Sequence, residues 1–418
     1  MNRSATARRV VITGMGIISP SGKTLEEFWG NVRAGRSATG RITRFDPKDS
    51  PSQLAAEIQD WKPANYMDAK AARRMERSHQ YGIAAARMAT EDAGLDLAKI
   101  DPDRVGVVEA TSVSNVETAY RGRTAVDTRG YRTITPSMMI GGYVGSGSAE
   151  IANELGCKGH AITCSSSSAS GCDVMGYSMS MIQHEDVDVM VAGGSEAPLI
   201  DALYFGFAMS RAMTRWTGVP GEAMKPFDKN GDGFVLGEAG AYLVLEELSH
   251  ALSRSARIYA ELLGHGRSCE AFHAMAPQPD GAGVVRALEK ALRKAGIDRD
   301  TIDYVNPHGT ANPVNDVAEV RALKKVFGAH ARKLAVSATK PITGHPLAVA
   351  GAQETIICAL ALQRQEIPPT LNLQAPLPEC DLDFVRTGMR AYPVRAAANL
   401  SSGFGGKTSA LILRSYHR

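Results

Sequence analysis

Three short segments in the first half of this 418-residue chain recur, in the same order, in its second half. Each half begins with a strand-like run, continues with a strand that ends at polar residues, and then has a strand, a polar turn and a helical pattern. The paired segments are 10–19 with 258–268, 105–112 with 302–310, and 161–171 with 335–351. Three matches in one order favour an internal duplication over chance. We therefore predict two halves, residues 1–255 and 256–418.

The alternation of strand-like and helical patterns is typical of an α/β protein with a mostly parallel sheet. A strand-like run at 10–13 is followed, for example, by helical patterns at 25–34 and 80–93. The largely apolar run VDVMVAGG at 187–194 indicates a strand covered on both faces. The segment 115–136 is polar and Arg-rich with no clear period, and we interpret it as a surface excursion or a subunit contact.

The composition excludes several classes of protein. With 44% hydrophobic and 22% charged residues, the chain fits neither a disordered nor a fibrous protein. A net charge of +3 is too small to indicate nucleic-acid binding, although a local basic patch could receive an acidic protein partner. Six cysteines without a CxxC pair favour reduced thiols over a disulfide framework.

The sequence contains no candidate membrane span, because its apolar runs fall short of the roughly 18 residues needed to cross a bilayer. Basic residues precede the first apolar run, as in a signal peptide, but Gly14, Gly16 and Pro20 interrupt that run. We interpret it as the first strand of the fold and predict a cytoplasmic protein.

The segment 156–171, GCKGHAITCSSSSASG, predicts a strand that turns sharply into a helix. A side chain at such a turn faces the unpaired N–H groups of the helix, which stabilise a developing oxyanion. The segment therefore offers a candidate nucleophile, and a serine-rich helix cap without chemistry is the alternative. The candidates are Ser166, Ser167 and Ser168, with Cys164 and Cys172 nearby.

Two other motifs imitate ligand sites. Gly14-Met-Gly16 follows a strand as in a dinucleotide fingerprint, but a serine replaces the third glycine and no acidic residue follows at the expected place. The segment 228–233 imitates the start of a calcium loop, but position 239, where the bidentate glutamate belongs, is Ala239. We interpret the first motif as part of the first strand of the fold and the second as an ordered turn, with no metal site.

Two histidines lie in glycine-rich turns at predicted strand ends. His308 occurs in NPHGTANP, and His345 occurs in TKPITGHPLAVAG. If the halves are duplicated, both histidines converge on the end of the sheet that carries the serine turn. The C-terminal loop 401–406, SSGFGG, adds bare backbone N–H groups that can complete an oxyanion site.

Taken together, these segments resemble a known family. The motifs RRVVITGMGIISPSG, DVMVAGGSE, FDKNGDGFVLGEAG, NPHGT, ATKPITGH and GFGG are similar to those of the β-ketoacyl-acyl-carrier-protein synthases of type II fatty-acid or polyketide synthesis. The resemblance covers nearly the whole chain and implies a thiolase-like, duplicated αβαβα five-layer fold. It also implies a dimer, a homodimer or a heterodimer with a paralogous synthase, whose interface we expect near residues 105–200.

The resemblance further implies the substrates. In such enzymes a cysteine takes an acyl chain from acyl-carrier protein, and two histidines assist the decarboxylation of malonyl-carrier protein and the formation of the carbon–carbon bond. Acyl and malonyl groups arrive on the phosphopantetheine of the carrier, so the resemblance implies no further cofactor.

The resemblance also assigns roles to residues of this chain. His308 and His345 match the two histidines, and Lys340 matches the lysine of the second motif. The positions matched to substrate contacts are Thr310, Phe404 as the gating phenylalanine, and Gly405; the matched acidic positions that support the site are Glu319 and Glu354. The chain departs from the family at Asn312, where a threonine is usual, and at Lys407-Thr408, where Thr-Asn is common.

The nucleophile is the main departure. Counting from either flanking motif without a gap, the family's cysteine falls on Ser168. Cys164 would require two compensating indels that put a buried strand out of register, and Cys172 would lie one helical turn further in. A serine hydroxyl must lose its proton to a base during attack, whereas a thiolate is accessible near neutral pH, so thioester loading on Ser168 is expected to be slow.

Three interpretations remain open. The chain is a chain-length-factor-like subunit or scaffold that pairs with a cysteine-bearing synthase, a serine-dependent acyltransferase or malonyl-carrier decarboxylase, or an ordinary synthase made inactive by design. Chain-length factors usually lack the histidines, which counts against the first, and the flanking serines count against the third. We expect both histidines and Ser168 to share one pocket.

Overall fold

The computed structural model describes residues 8–416. Residues 1–7, part of the basic segment compared above with a signal peptide, lie outside the described residues. Within the described part the strands are β1 Val10–Ile18, β2 Gly40–Arg41, β3 Leu54–Ala56, β4 Val105–Ala110, β5 Ala161–Cys164, β6 Val189–Glu196, β7 Leu236–Gly237, β8 Ala239–Glu247, β9 Ala260–Cys269, β10 Ile302–Asn306, β11 Ala335–Val336, β12 Glu366–Ile367, β13 Asp383–Phe384, β14 Arg390–Ala391, β15 Ala396–Gly403 and β16 Lys407–Arg414. The α-helices are α1 Leu25–Arg33, α2 Ala69–Ala72, α3 Arg77–Asp92, α4 Val116–Arg129, α5 Pro136–Gly141, α6 Ser146–Leu155, α7 Ser170–Gln183, α8 Asp201–Met209, α9 Leu248–Ser253, α10 Ala282–Ala295, α11 Pro313–Phe327, α12 Lys340–Thr343 and α13 Ala350–Arg364.

The main sheet has two halves with the same strand order. Its order is β13-β11-β10-β15-β16-β9-β1-β8-β6-β4-β5, so β1-β8-β6-β4-β5 on one side corresponds to β9-β16-β15-β10-β11 on the other. The halves meet where β1 and β9 pair antiparallel. Because β8 and β16 also pair antiparallel with their neighbours, the sheet is mixed, and the prediction of a mostly parallel sheet was wrong. The three segment pairs found in the sequence occupy equivalent strands, which confirms the predicted duplication. The residue at which the halves divide stays a prediction.

Helices cover the outer faces of the two half-sheets and fill the space between them. Helix α3 packs on β1 and β8, and α10 packs on β9 and β16. Helices α7 and α13 contact each other and strands of both halves, and their apolar side chains form the central core. The resulting layers are helices, half-sheet, helices, half-sheet and helices, as predicted.

Glycines in the two central strands allow the outer helices to approach the strand backbones. A Cβ on Gly16 of β1 would lie 2.0 Å from the carbonyl oxygen of Ala85 in α3. A Cβ on Gly266 of β9 would lie 1.9 Å from the carbonyl oxygen of Ala287 in α10. The motif that imitates a dinucleotide fingerprint therefore serves helix–sheet packing, and it recurs in the second half for the same reason.

The turn at Asp228 is held by backbone donors. The Asp228 carboxylate accepts hydrogen bonds from the N–H groups of Asn230 (2.9 Å), Gln374 (2.8 Å) and Ala375 (2.6 Å). The carboxylate of the apparent calcium loop is thus occupied in tying the turn to a distant segment.

The Arg-rich segment 115–136 lies at the surface, and most of it is the helix α4, which the sequence did not predict. Its sequence has no strong amphipathic period, and the helix is supported by an i,i+4 ion pair between Arg123 and Asp127 at 2.9 Å. The segment from α4 to residue 144 exposes a set of large apolar side chains; we call this the α4–α5 face: Tyr120, Val126, Tyr131, Ile134, Met139, Ile140, Tyr143 and Val144. Among residues 8–416, no helix has the length and apolarity to cross a membrane.

Candidate active site

The serine turn joins β5 to α7 and presents Ser168 immediately before the first helical turn. Ser167 adopts a left-handed conformation with φ of 59°, which is uncommon for a residue other than glycine. Ser168 is 6% exposed, and its Oγ lies 3.1 Å from Nε2 of His345. The turn therefore directs the hydroxyl of Ser168 at an imidazole.

The two neighbouring cysteines have other surroundings. Cys172 is buried inside α7, its thiol contacts Ser401 Oγ at 3.4 Å, and burial raises its pKa. Burial and the nearby Asp173 carboxylate raise the pKa of Cys164, which lies in β5. In the described part of the chain, the cleft that contains Ser168 is lined by neither thiol.

The imidazole rings of the two histidines lie next to each other. His308 follows β10, His345 lies between α12 and α13, and their ring centroids are 5.4 Å apart with the planes at 80°. Burial lowers the pKa of His345 well below 6.5, and the charge of Lys340 lowers it further. Burial, Lys340 and His345 act in the same direction on the pKa of His308. Both imidazoles are therefore neutral at pH 7.

A buried ion pair holds the backbone of His308. Lys340 Nζ donates to the His308 carbonyl oxygen and to Glu354 Oε1, each at 2.5 Å. Burial raises the pKa of Glu354, and the charge of Lys340 opposes that shift. The Glu319 carboxylate accepts from the N–H groups of His308 (2.5 Å) and Gly309 (3.0 Å). Lys340, Glu354 and Glu319 thus hold the backbone of His308, and Glu319 also lines the cleft.

The cleft has an unoccupied volume of about 990 Å³, including the part open to solvent. Besides Ser168 and the histidines it is lined by Thr310, Phe404 and Lys407. Gly405 has φ of 82° and its N–H donates to the Ala274 carbonyl oxygen at 2.8 Å, so it shapes the loop that carries Phe404.

The glycine-rich loop 403–406 lies directly against the serine turn. A Cβ on Gly403 would be 2.9 Å from the backbone nitrogen of Ser168 and 2.8 Å from Cβ of Ser167. Only a glycine permits this approach, which brings the backbone of the loop next to that of the candidate nucleophile.

Aromatic rings connect the loop to His345. Phe404 stacks on Phe207 of α8 with centroids 6.4 Å apart, Phe207 contacts Phe234, and Phe234 meets His345 edge-on at 4.9 Å. The sequence did not identify Phe207 as a residue of the site, because nothing in the sequence of α8 distinguishes it from a core residue. Phe234 lies inside a motif quoted above, where it was given no role.

The departure at Asn312 has a local explanation. Its side-chain oxygen accepts from the N–H groups of Val314 (3.1 Å) and Asn315 (3.4 Å), so it caps α11. Asn315 Nδ2 in turn donates to Thr310 Oγ1 at 3.3 Å. Within the described residues, no group of three or more His, Cys, Asp and Glu side chains is arranged to hold a metal ion.

Comparison with protein families matches the two halves of the chain separately. Residues 7–251 match the model described as "Beta-ketoacyl synthase, N-terminal domain", and residues 259–374 match "Beta-ketoacyl synthase, C-terminal domain". The chain belongs to the β-ketoacyl synthase family. Members of this family are acyltransferase-type condensing enzymes, so the predicted family and enzyme class are confirmed.

Individual members of the β-ketoacyl synthase family are similar to this chain over nearly its full length. The 3-oxoacyl-[acyl-carrier-protein] synthase 2 of Coxiella burnetii is 41% identical over 406 residues, which cover 97% of this chain and 98% of that protein. A type II PKS ketosynthase, solved with its acyl-carrier protein and a bound hexaketide, superposes with a TM-score of 0.91 at 31% identity, covering 99% and 100% of the chains. The ishigamide ketosynthase/chain length factor superposes with a TM-score of 0.90 at 34% sequence identity, again covering 99% of this chain and 100% of the other. The thiolase-like fold is confirmed.

Proposed function

We propose that the chain is a 3-oxoacyl-[acyl-carrier-protein] synthase-type condensing enzyme of fatty-acid or polyketide biosynthesis. It takes an acyl group from the phosphopantetheine of an acyl-carrier protein, decarboxylates a malonyl group delivered in the same way, and joins the two. The proposal rests chiefly on the 3.1 Å contact between Ser168 Oγ and His345 Nε2, in the cleft that His308 also lines.

The neutral imidazoles suit the decarboxylation half of this reaction. An imidazole N–H can donate to the thioester carbonyl oxygen of a bound malonyl group and stabilise the enolate that forms as carbon dioxide leaves. The rings of His308 and His345, 5.4 Å apart, can both reach one such oxygen. This step requires no covalent bond to Ser168.

Loading is the half-reaction that depends on Ser168. Its Oγ attacks the thioester carbon, its proton passes to His345 Nε2, and the proton then goes to the pantetheine sulfur as the carbon–sulfur bond breaks. The proposed oxyanion donors are the backbone N–H of Ser168 and those of the loop 403–406 other than the N–H of Gly405, which is bonded to Ala274. Since the hydroxyl must be deprotonated during attack, we propose that self-loading limits the rate.

The proposed partner is an acyl-carrier protein, and the proposed location is the cytoplasm. One similar ketosynthase was solved in complex with its acyl-carrier protein, and the open cleft suits an arm that carries its acyl group on phosphopantetheine. We propose no metal and no cofactor apart from that arm. Thr310 and Phe404, with Gly405 shaping the loop, are the proposed contacts of the arm.

A second candidate function is a non-elongating subunit that pairs with a cysteine-bearing synthase. The similarity to a ketosynthase/chain length factor and the serine at position 168 favour it. The two buried, neutral histidines favour the enzyme, because a subunit without chemistry has no need of them.

Purified chain incubated with malonyl-carrier protein distinguishes these functions. We expect the enzyme to release carbon dioxide from the malonyl group, yet to form 3-oxoacyl product slowly when acyl-carrier protein is added. The measurements are trapped labelled carbon dioxide and mass spectrometry of the carrier. If neither carbon dioxide nor product forms, the scaffold function is supported instead.

We further propose that two copies associate through the edge of the sheet at β5. This strand ends the sheet order, and its first residue, Ala161, is exposed. The α4–α5 face adds a large apolar surface, with Met139 at 70% and Tyr143 at 64% exposure. An unpaired strand edge and an exposed apolar surface of this size are each typical of a subunit interface.

Light scattering at micromolar concentration should therefore give twice the chain mass of 44.5 kDa. Met139→Glu is expected to shift the mass toward the monomer, because it buries a charge in the interface. Val219→Glu, at an exposed apolar residue outside the α4–α5 face, is the matched control and should leave the mass unchanged. A monomer in the unmodified chain would refute the proposed association.

A further inference from the structure

A polar cluster lies behind the serine turn and joins the two halves of the molecule. It consists of Ser166 from the turn, Asp173 from α7, His265 from β9 and Ser409 from β16, and we call it the Asp173 cluster. In the part of the chain that the structure describes, none of these four side chains lines the cleft. The proposed chemistry gives the cluster no role.

The cluster fixes the serine turn from the side of α7. Ser166 Oγ donates to Asp173 Oδ2 at 2.7 Å, and the Ser166 N–H donates to Ser170 Oγ at 2.7 Å. Ser170 Oγ in turn donates to the Ser167 carbonyl oxygen at 2.5 Å. Ser166 is thus held at its side chain and its backbone, directly before the left-handed residue Ser167. An uncommon backbone conformation persists only where the surrounding contacts over-determine it.

The Asp173 carboxylate is itself held by the other half of the molecule. His265 Nε2 lies 3.2 Å from Asp173 Oδ1 and 2.9 Å from Ser409 Oγ, and a carboxylate can only accept from an Nε2–H. The His265 ring packs on Gly176 of α7, where a Cβ would lie 2.0 Å from the ring. Burial raises the pKa of Asp173, but hydrogen bonds from His265 and Ser166 outweigh it and lower the pKa overall. The carboxylate is therefore ionised at neutral pH.

We propose that Asp173, held by His265, is a positioning residue that fixes the turn from Ser166 to Ser168, so that the group at position 168 stays opposite His345. Hydrogen bonds to an ionised carboxylate are stronger than those between neutral groups, which suits a device that must hold a strained turn. The inference rests on the proposed function, since it assumes that the group at position 168 reacts.

The test uses the full chain with Ser168→Cys and measures alkylation by iodoacetamide, in which a carbon–sulfur bond forms and iodide leaves. The pH dependence of the rate gives the pKa of the thiol at position 168, located by peptide mass spectrometry. The helix N-terminus and His345 lower this pKa only while the turn is in place. Adding Ser166→Ala or Asp173→Ala should raise the pKa by about one unit and slow alkylation at pH 7 roughly ten-fold.

Two comparisons separate positioning from other effects. Removing the negative charge of Asp173 would by itself lower the thiol pKa, so a rise points to lost position rather than lost charge. Combining Ser166→Ala with Asp173→Ala should give no larger effect than either alone, since both act through one contact. Ser166→Thr, which keeps the hydroxyl, should restore the reactivity.

The chain supplies its own controls. Ser180→Ala removes a hydroxyl of the same helix that bonds to the Gly176 carbonyl oxygen, and it should not change the pKa at position 168. Exposed Cys269 should react at an unchanged rate in every variant, and buried Cys358 should stay protected unless the fold is lost.

An unchanged or lowered pKa at position 168 in both Ser166→Ala and Asp173→Ala would overturn the inference. Failure of the proposed function is a different result, because it appears as no acylation by acyl-carrier protein. Alkylation by iodoacetamide needs no carrier and reports on the turn in either case.

Discussion

Ser168→Cys is expected to raise the rate of acyl loading from acyl-carrier protein on the order of 100-fold. This factor lies at the low end of what general-base catalysis contributes, and a thiolate does not need that assistance. The thiol would take the same position before the N-terminus of α7, with His345 Nε2 at the 3.1 Å that separates it from the present oxygen. Both stabilise a thiolate, which needs no base during attack. Intact-protein mass spectrometry after incubation with acyl-carrier protein follows the adduct.

Two variants control this experiment. Ser167→Cys places a thiol one residue away in the same turn and should load slowly, because the contact with His345 belongs to position 168. Cys164→Ser in the unmodified chain should leave loading unchanged. An adduct on Cys164 would show that the nucleophile has been assigned to the wrong residue.

His308→Asn and His345→Asn are each expected to lower the release of carbon dioxide from malonyl-carrier protein by roughly 100- to 1,000-fold, as for the loss of an oxyanion donor. Asparagine keeps a donor but cannot place it where the imidazole nitrogen lies. Ser168→Ala should leave carbon dioxide release nearly intact, since the step needs no covalent intermediate. His184→Asn, at an exposed histidine on the surface of the same chain, is the matched control.

The same assay has an expected pH dependence. The pKa values of His308 and His345 lie well below 6.5, because burial and Lys340 disfavour the protonated rings. The neutral forms therefore persist as the pH falls from 8 to 6.5, and the rate should stay level over that range. A decline centred on an ordinary histidine pKa would contradict the assigned environment.

The fold could be predicted because its signals are local and repeated. The glycine pairs Gly14/Gly16 and Gly264/Gly266 mark equivalent strands, and each half repeats the same order of elements. The position of Ser168 could be counted from flanking motifs, since strand, turn and helix are contiguous there. Its reactivity stays a prediction.

The features of the site that could not be predicted from the sequence depend on contacts between distant segments. Asp173 and His265 are 92 residues apart, and their contact requires the register of β9 against α7, which no periodicity encodes. Phe207 reaches Phe404 only through the packing of α8 on the glycine-rich loop. Helix α4 was missed because its sequence has no amphipathic stripe, and only Ala125 of the helix is buried.

The central place of β1 in the sheet has a consequence for biosynthesis. This first strand pairs with β8 on one side and β9 on the other, so its partners Glu247 and Leu262 are made long after it. At about 5–20 residues per second, a ribosome needs roughly 12–50 s to reach the end of β8. During that interval β1 has no strand to pair with, although α3, which packs on it, is already made. Until β8 and β9 have been synthesised, the nascent chain therefore depends on chaperone binding or on rapid collapse to protect β1.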